Sequence, residues 1–384
     1  MVTTSSRFAS VDSLRGLIMI VMAIDHASAF ISRQHSLEFW NGAISSYSGA
    51  FPFLTRWITH LCAPGFFFLM GAGIYWFATS RRDSGWTDAQ TIRRTALRGL
   101  AIFLTGQFLE TPILFVQSFL KAPAVSLSNV SQSPPNDGTS LLWGFITLSG
   151  LGGVMMVCSL LLRLRPWMWL VVSALCVCAT NSLLPAGGKI GPLWETMLLA
   201  PGISQHVIVM YPVIPWLAVA ALGMYFGYWW KANPAAQEKV WIFGAALLLT
   251  GIGLRALGGW GNITQPRDSG WIEFLNNVKY PPSFVFWTIA VGIDLLLLAL
   301  LRRLPEVVRS VRSPLMVFGQ TPLFFYLAHL YLLAIFGFVF FQTAGSLEMA
   351  FLMWAVALTV LYPVCVWYRG FKSGKPQESV WRFF

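Results

Sequence analysis

The first apolar run of this chain, VDSLRGLIMIVMAIDHASAFISRQHS, carries Asp12, Arg15, Asp25 and His26. Arg15 and His26 are eleven residues apart, which on a helix is three turns plus about 20°, so the two share one face roughly 16 Å apart. An imidazole titrates where a general base must work, and a guanidinium suits an anion such as a phosphate. Charged groups at membrane depth are costly and face a cavity or each other. The pair therefore reads as a site, with Asp25 as the carboxylate next to the base. The plainer alternative pairs Arg15 with Asp12 at i, i+3 and leaves His26 capping the helix.

Two more histidines join the set. In RWITHLCAPGFFFLMGAG, Arg56 and His60 are four apart on one face, and Pro64 frees a carbonyl near His60. In SPLMVFGQTPLFFYLAHLYLLAIF, His329 lies fifteen residues beyond Pro314. With alternating helix directions, His26, His60 and His329 fall at one level in the outer half of a bundle, although a lone histidine there is more often a hydrogen-bonded core residue. Glu110, with Gln107 and Thr111 on the third apolar run, could hold an imidazole in one tautomer. Asp294 reads as the partner of a neighbouring arginine.

The elements that must carry these residues are membrane helices. Of 384 residues, 56% are hydrophobic and 11% charged, with mean hydropathy +0.64, which excludes a soluble protein of this size. The net charge of +11 sits in short basic clusters between apolar runs, a topology signal that excludes a nucleic-acid surface. Five cysteines lie in or beside apolar runs without zinc-ligand spacing. The first apolar run has no small-residue cleavage site after it and stays as a helix.

The predicted fold is all-α, a single polytopic domain over 1–384 with short tails 1–11 and 369–384. Ten helices are expected near 12–32, 56–78, 95–118, 140–162, 166–184, 207–230, 239–257, 282–301, 314–340 and 346–368. Most Lys and Arg residues then fall on one side, which places both termini in the cytoplasm. The longer loops, 119–139 and 258–281, are rich in Pro, Gly, Asn and Ser and face outward. No phosphate loop, dinucleotide fingerprint, G-x-S-x-G elbow or HExxH is present.

From about Arg7 to Tyr368 the chain, through SVDSLRG, THLCAPGFFFLMGAG, YPVIPW, KYPPS and FGQTPLFFYLAHLYL, resembles bacterial membrane proteins containing the catalytic domain of heparan-α-glucosaminide N-acetyltransferase. Arg15, ten residues and then His26 is also similar to the Arg-x10-His pattern of bacterial membrane acyltransferases that O-acetylate surface polysaccharides. The resemblance implies acetyl transfer from cytosolic acetyl-CoA to a sugar across a bacterial inner membrane, with the arginine towards CoA and the histidine at the transfer end. The lysosomal enzyme's active histidine lies in the first luminal loop just before Trp-Asn-Gly, and its helix position matching His26 is Asn. Here Trp40, Asn41 and Gly42 recur with His35 two residues out of register, so His26 and His35 are both candidate bases. His26 is favoured by its spacing from Arg15 and its depth.

The expected function is acyl transfer, N- or O-linked, from acetyl-CoA or a related donor to a carbohydrate at the outer face. His26 is the expected base, His60 and His329 orient it or stabilise developing charge, and Arg15 with Arg93, Arg94 and Arg98 holds CoA phosphates. A homodimer is compatible with this reading. Proline-broken helices with charges near the midplane also suit a transporter or flippase, and a non-catalytic partner subunit is a third alternative.

Overall fold

The computed structural model describes residues 6–42, 46–114, 132–133, 143–204, 206–341, 343–376, 379 and 381. Helix α1 (Ser6–Ala27) runs on into a π-helical turn, Ser28–Ser32, which Arg33 closes in the left-handed conformation at φ 53°. Such turns inside a helix re-aim side chains and are frequent at functional sites; this one lies immediately beyond Asp25 and His26. The second apolar stretch holds two helices, α2 (Ala50–Thr59) and α3 (Cys62–Asp83), separated by a turn at His60 and Leu61. Pro64 has no N–H to return to the His60 carbonyl, so the helix restarts there instead of continuing.

A capping box starts α4 (Asp88–Thr105): Gln90 N donates to Thr87 Oγ1 and Thr87 N to Gln90 Oε1. A second π turn, Gly106–Glu110, follows α4. Next come the strands β1 (Gln132–Ser133) and β2 (Trp143–Phe145), then helices α5 (Thr147–Leu161), α6 (Pro166–Ser182) and α7 (Leu193–Leu198). Strands β3 (Gly202–Ser204) and β4 (Val207–Val209) precede α8 (Val213–Ala232), α9 (Val240–Leu257) and α10 (Trp271–Leu275). The chain ends with α11 (Phe284–Arg303), α12 (Pro314–Gln320), α13 (Pro322–Phe340) and α14 (Leu347–Ser373).

Among the described residues, seven helical segments are long and apolar enough to cross a membrane: Phe8–Ser32, Ala50–Asp83, Val213–Ala232, Gln237–Leu257, Phe284–Arg303, Pro322–Phe340 and Leu347–Ser373. Each of the ten expected stretches contains a helix, but α5 and α6 are shorter apolar helices, and α4 carries Arg93, Arg94 and Arg98 on a helix of only 18 residues. The described residues are mostly helical, as expected, with one small sheet besides, of order β1-β3-β4-β2, in which β2 is parallel to β4 and β3 antiparallel to β4. The first residues of the stretches 140–162 and 207–230 go into it. WGF and VIV are aromatic and β-branched, and Pro212 holds the start of α8 back to Val213. The stretch 314–340 likewise breaks at Thr321, before Pro322. Most of loop 119–139 lies outside the described residues.

The main packed pairs are α9 with α11, α3 with α8, α4 with α5, α6 with α8 and α1 with α12. The last pair positions Arg15. A Cβ at Gly16 would collide with the Leu315 carbonyl oxygen, and one at Gly319 with that of Asp12, so the two backbones touch through paired glycines. Gly16→Ala is expected to push α12 off α1, destabilising the protein by about 1–3 kcal/mol, and to weaken whatever anion Arg15 holds. Thermal unfolding in detergent of Gly16→Ala beside Gly73→Ala, where the added Cβ meets open space, checks this.

Candidate active site

Arg15 reaches a cavity of about 530 Å³ walled by faces of α1, α3, α4, α5 and α13. Its cations are Arg15, Arg81, Arg94, Arg98 and Lys372, and among the described residues no acidic side chain lines it. Along α3 the lining runs from Phe66 to Arg81, about 22 Å of helix. Arg15 Nη1 donates to Asp12 Oδ1 at 2.9 Å and to the Gly319 carbonyl at 3.1 Å. The i, i+3 pairing thus exists without withdrawing Arg15 from the cavity. Arg94 and Arg98, one turn apart, both line it, whereas Arg93 is exposed and absent from the lining.

Beyond the cavity, α1 and α13 bring two of the three histidines together: His26 Nδ1 lies 2.7 Å from His329 Nε2, with the rings stacked at 4.9 Å. The protons follow from the next contact. His329 Nδ1 lies 2.8 Å from the Phe325 carbonyl, which can only accept, so Nδ1 carries the hydrogen. In a neutral ring Nε2 is then the acceptor, and His26 Nδ1–H must donate to it. His26 is left with a lone pair on Nε2, the arrangement a general base needs. His329 is fully buried and His26 only partly. Glu110, expected to orient an imidazole, touches neither histidine. Its carboxylate accepts from Tyr326 O–H and from Leu148 N–H, and the orienting group is the Phe325 carbonyl.

The third histidine belongs to a second cluster. Arg56 Nε and Nη2 donate to the two oxygens of Glu38 at 2.9 and 2.8 Å, and Nη1 donates to Asp25 Oδ1 at 2.7 Å. Thr59 Oγ1 adds a bond to Asp25 at 3.1 Å, and His35 Nδ1 lies 3.4 Å from the same oxygen. His60 Nε2 is 3.5 Å from Glu38 Oε1, with its ring against Phe286, so it does not stack on the His26–His329 pair. Burial alone would raise the Glu38 carboxyl, but Arg56 and then His60 outweigh it and hold it well below the usual carboxylate range. Asp25, His35 and Arg56 face a polar cavity of about 350 Å³ that Ser28, Ser36 and Tyr47 also line. Consecutive residues of α1 therefore serve two clusters: Asp25 the polar cavity, His26 the histidine pair next to the basic one.

Comparison with known families settles the relationship. The model of the heparan-α-glucosaminide N-acetyltransferase catalytic domain matches residues 7–260. The chain belongs to this family. Its matched region holds Arg15, Asp25, His26, His35, Arg56, His60, Arg94 and Arg98, while Tyr326, His329 and Lys372 lie beyond it. A search of curated proteins found no match. Together with the apolar helices, the family makes this a membrane protein with an acetyltransferase-type catalytic domain. Among the described residues no group of His, Cys, Asp and Glu is placed to hold a metal ion.

Three residues of these clusters and cavities escaped the sequence reading. Glu38, fully buried, sits in the irregular segment after Arg33; its signal was an isolated carboxylate between His35 and Trp-Asn-Gly. Lys279, 4% exposed, holds its ammonium over the Tyr280 ring, and its backbone N–H bonds the Glu38 carbonyl. Tyr326 lines the basic cavity one turn before His329. Asp294, expected to meet an arginine, is buried with neither oxygen hydrogen-bonded among the described residues.

Proposed function

We propose that this protein moves an acetyl group from acetyl-CoA, bound from the cytoplasm in the basic cavity, to a carbohydrate amine or hydroxyl in the polar cavity at the opposite face. In this reading the chain crosses a bacterial inner membrane ten times, with both termini on the cytoplasmic side. The observation that carries the proposal is the juxtaposition in α1: Arg15 and Met19 line a cation-rich cavity without acids, and His26, on the same helix face, offers an unprotonated Nε2 beyond it. The phosphates of CoA would meet Arg15, Arg94 and Arg98, and the length of the lined channel suits an extended pantetheine arm. The acceptor's N–H or O–H would lose its proton to His26 as it attacks the thioester carbon, and the departing thiolate would take that proton.

Purified protein in proteoliposomes is expected to transfer label from radiolabelled acetyl-CoA to an amino sugar or glycan on the opposite side. Arg98→Glu is expected to weaken acetyl-CoA binding about tenfold or more, because it puts an anion against phosphate. Binding that Arg98→Glu leaves unchanged would remove the donor assignment, and accumulation of unmodified substrate across the membrane without acetylation would replace the enzyme with a transporter.

A further inference from the structure

Tyr326 has the contacts of a reacting group. Its ring lines the basic cavity and stands edge-on to both histidines, with centroids 5.9 Å from His26 and 5.7 Å from His329. Its hydroxyl is buried and donates to Glu110 Oε1, while Glu110 Oε2 accepts from Leu148 N–H at 2.8 Å, at the start of α5. Glu110 is 0% exposed and has no lysine or arginine at ion-pair distance among the described residues. A carboxyl enclosed this way, with only neutral donors around it, can in its acid form donate back to its hydrogen-bond partner.

We propose that Tyr326 is the donor that stabilises the thioester oxygen during acyl transfer, and that Glu110 is the residue positioning its hydroxyl. The inference rests on the acetyl-transfer reading above. Attack by the nucleophile on the carbonyl carbon forms the new bond and moves the C=O π pair onto oxygen. The phenol O–H, turned about its C–O bond from Glu110 to that oxygen, bonds to the oxyanion, and the Glu110 acid O–H donates into the phenol oxygen. On collapse the pair returns, the C–S bond breaks, and the thiolate leaves with its electrons to receive the proton held by His26. Tyr326 ends as it began, and acetyl-CoA plus acceptor gives acetylated acceptor plus CoA. Electrostatic stabilisation of this kind is strongest in a buried, pre-arranged site, where one donor is worth about 10²–10³ in kcat. The edge-on contacts hold the phenol ring next to the histidine pair.

The test has two readouts. In steady-state transfer, Tyr326→Phe is expected to lower kcat about 10²–10³-fold with KM for acetyl-CoA nearly unchanged. Glu110→Gln, whose amide oxygen can accept from Leu148 N–H while its NH2 donates to the phenol oxygen, is expected to lower it far less than Glu110→Ala. In infrared difference spectra of carbonyl-13C acetyl-CoA bound without acceptor, the natural protein is expected to shift the thioester carbonyl band to lower wavenumber, and Tyr326→Phe to return it towards the free value. An undiminished kcat in Tyr326→Phe, or a band the substitution does not move, overturns this assignment and leaves acetyl transfer standing. Acetyl-CoA that does not bind the natural protein at all overturns both.

Discussion

His26→Ala is expected to abolish acetyl transfer, by about 10³-fold or more, while leaving acetyl-CoA affinity and thermal stability close to those of the natural protein. General-base assistance contributes about 10²–10⁴-fold, and the substitution removes the one nitrogen of the histidine pair whose lone pair is not already taken. His26 is partly exposed, so its loss leaves little buried void. The cations that would hold CoA lie about three helical turns away. His329→Ala should act differently. It deletes the acceptor for His26 Nδ1–H, so the His26 tautomer is no longer fixed and the rate falls by a smaller factor, with partial recovery in His329→Gln, whose amide oxygen can accept. Single-turnover transfer by His26→Ala, His329→Ala, His329→Gln and His35→Ala separates the two candidate bases. Loss in His35→Ala with retention in His26→Ala would move the base to the polar cavity, where His35 lies against Asp25.

The residues legible in the sequence were those on regular helices. Arg15 and His26 could be placed on one face because the spacing of a helix is fixed, and the matched depth of His329 follows from the same rise per residue. Depth does not fix direction, however. His60 caps α2 in helical conformation one turn after Arg56, and both meet Glu38, away from the His26–His329 pair. Glu38 and Lys279 were illegible for a related reason. Both lie in irregular segments, and their meeting depends on backbone bonds from Lys279 and Tyr280 to the Glu38 carbonyl and from Trp40 to Tyr280, a pairing with no local pattern. Arg93 and Arg94 look equivalent in sequence, yet 100° of helix rotation turns only Arg94, with Arg98, into the cavity. The small sheet was hidden because three-residue strands inside apolar runs carry too little alternation to be told from helix.

Arg56→Met is expected to be the most destabilising single substitution in the polar cluster, by about 3–5 kcal/mol, the usual result of removing one partner from a buried ion pair. The guanidinium satisfies both Glu38 oxygens and one of Asp25, and methionine fills most of its volume while leaving two buried carboxylates facing each other. The pH dependence should change sign. In the natural protein the Glu38 carboxyl is held below its unfolded value, so its contribution is fully present above the unfolded pKa of about 4.3 and is lost as pH falls through the folded one. Without Arg56, desolvation by burial is unopposed by its charge and raises the Glu38 carboxyl. Arg56→Met should therefore be least stable at neutral and alkaline pH and regain stability on acidification towards pH 5, where Glu38 takes up a proton. Adding Glu38→Gln to Arg56→Met should recover part of the loss at pH 7 and flatten the pH response, because the amide needs no cation. Thermal unfolding of the single and double variants between pH 5 and pH 8 tests this. An Arg56→Met protein whose stability does not rise between pH 8 and pH 5 would mean that the cluster is held by packing and not by its charges.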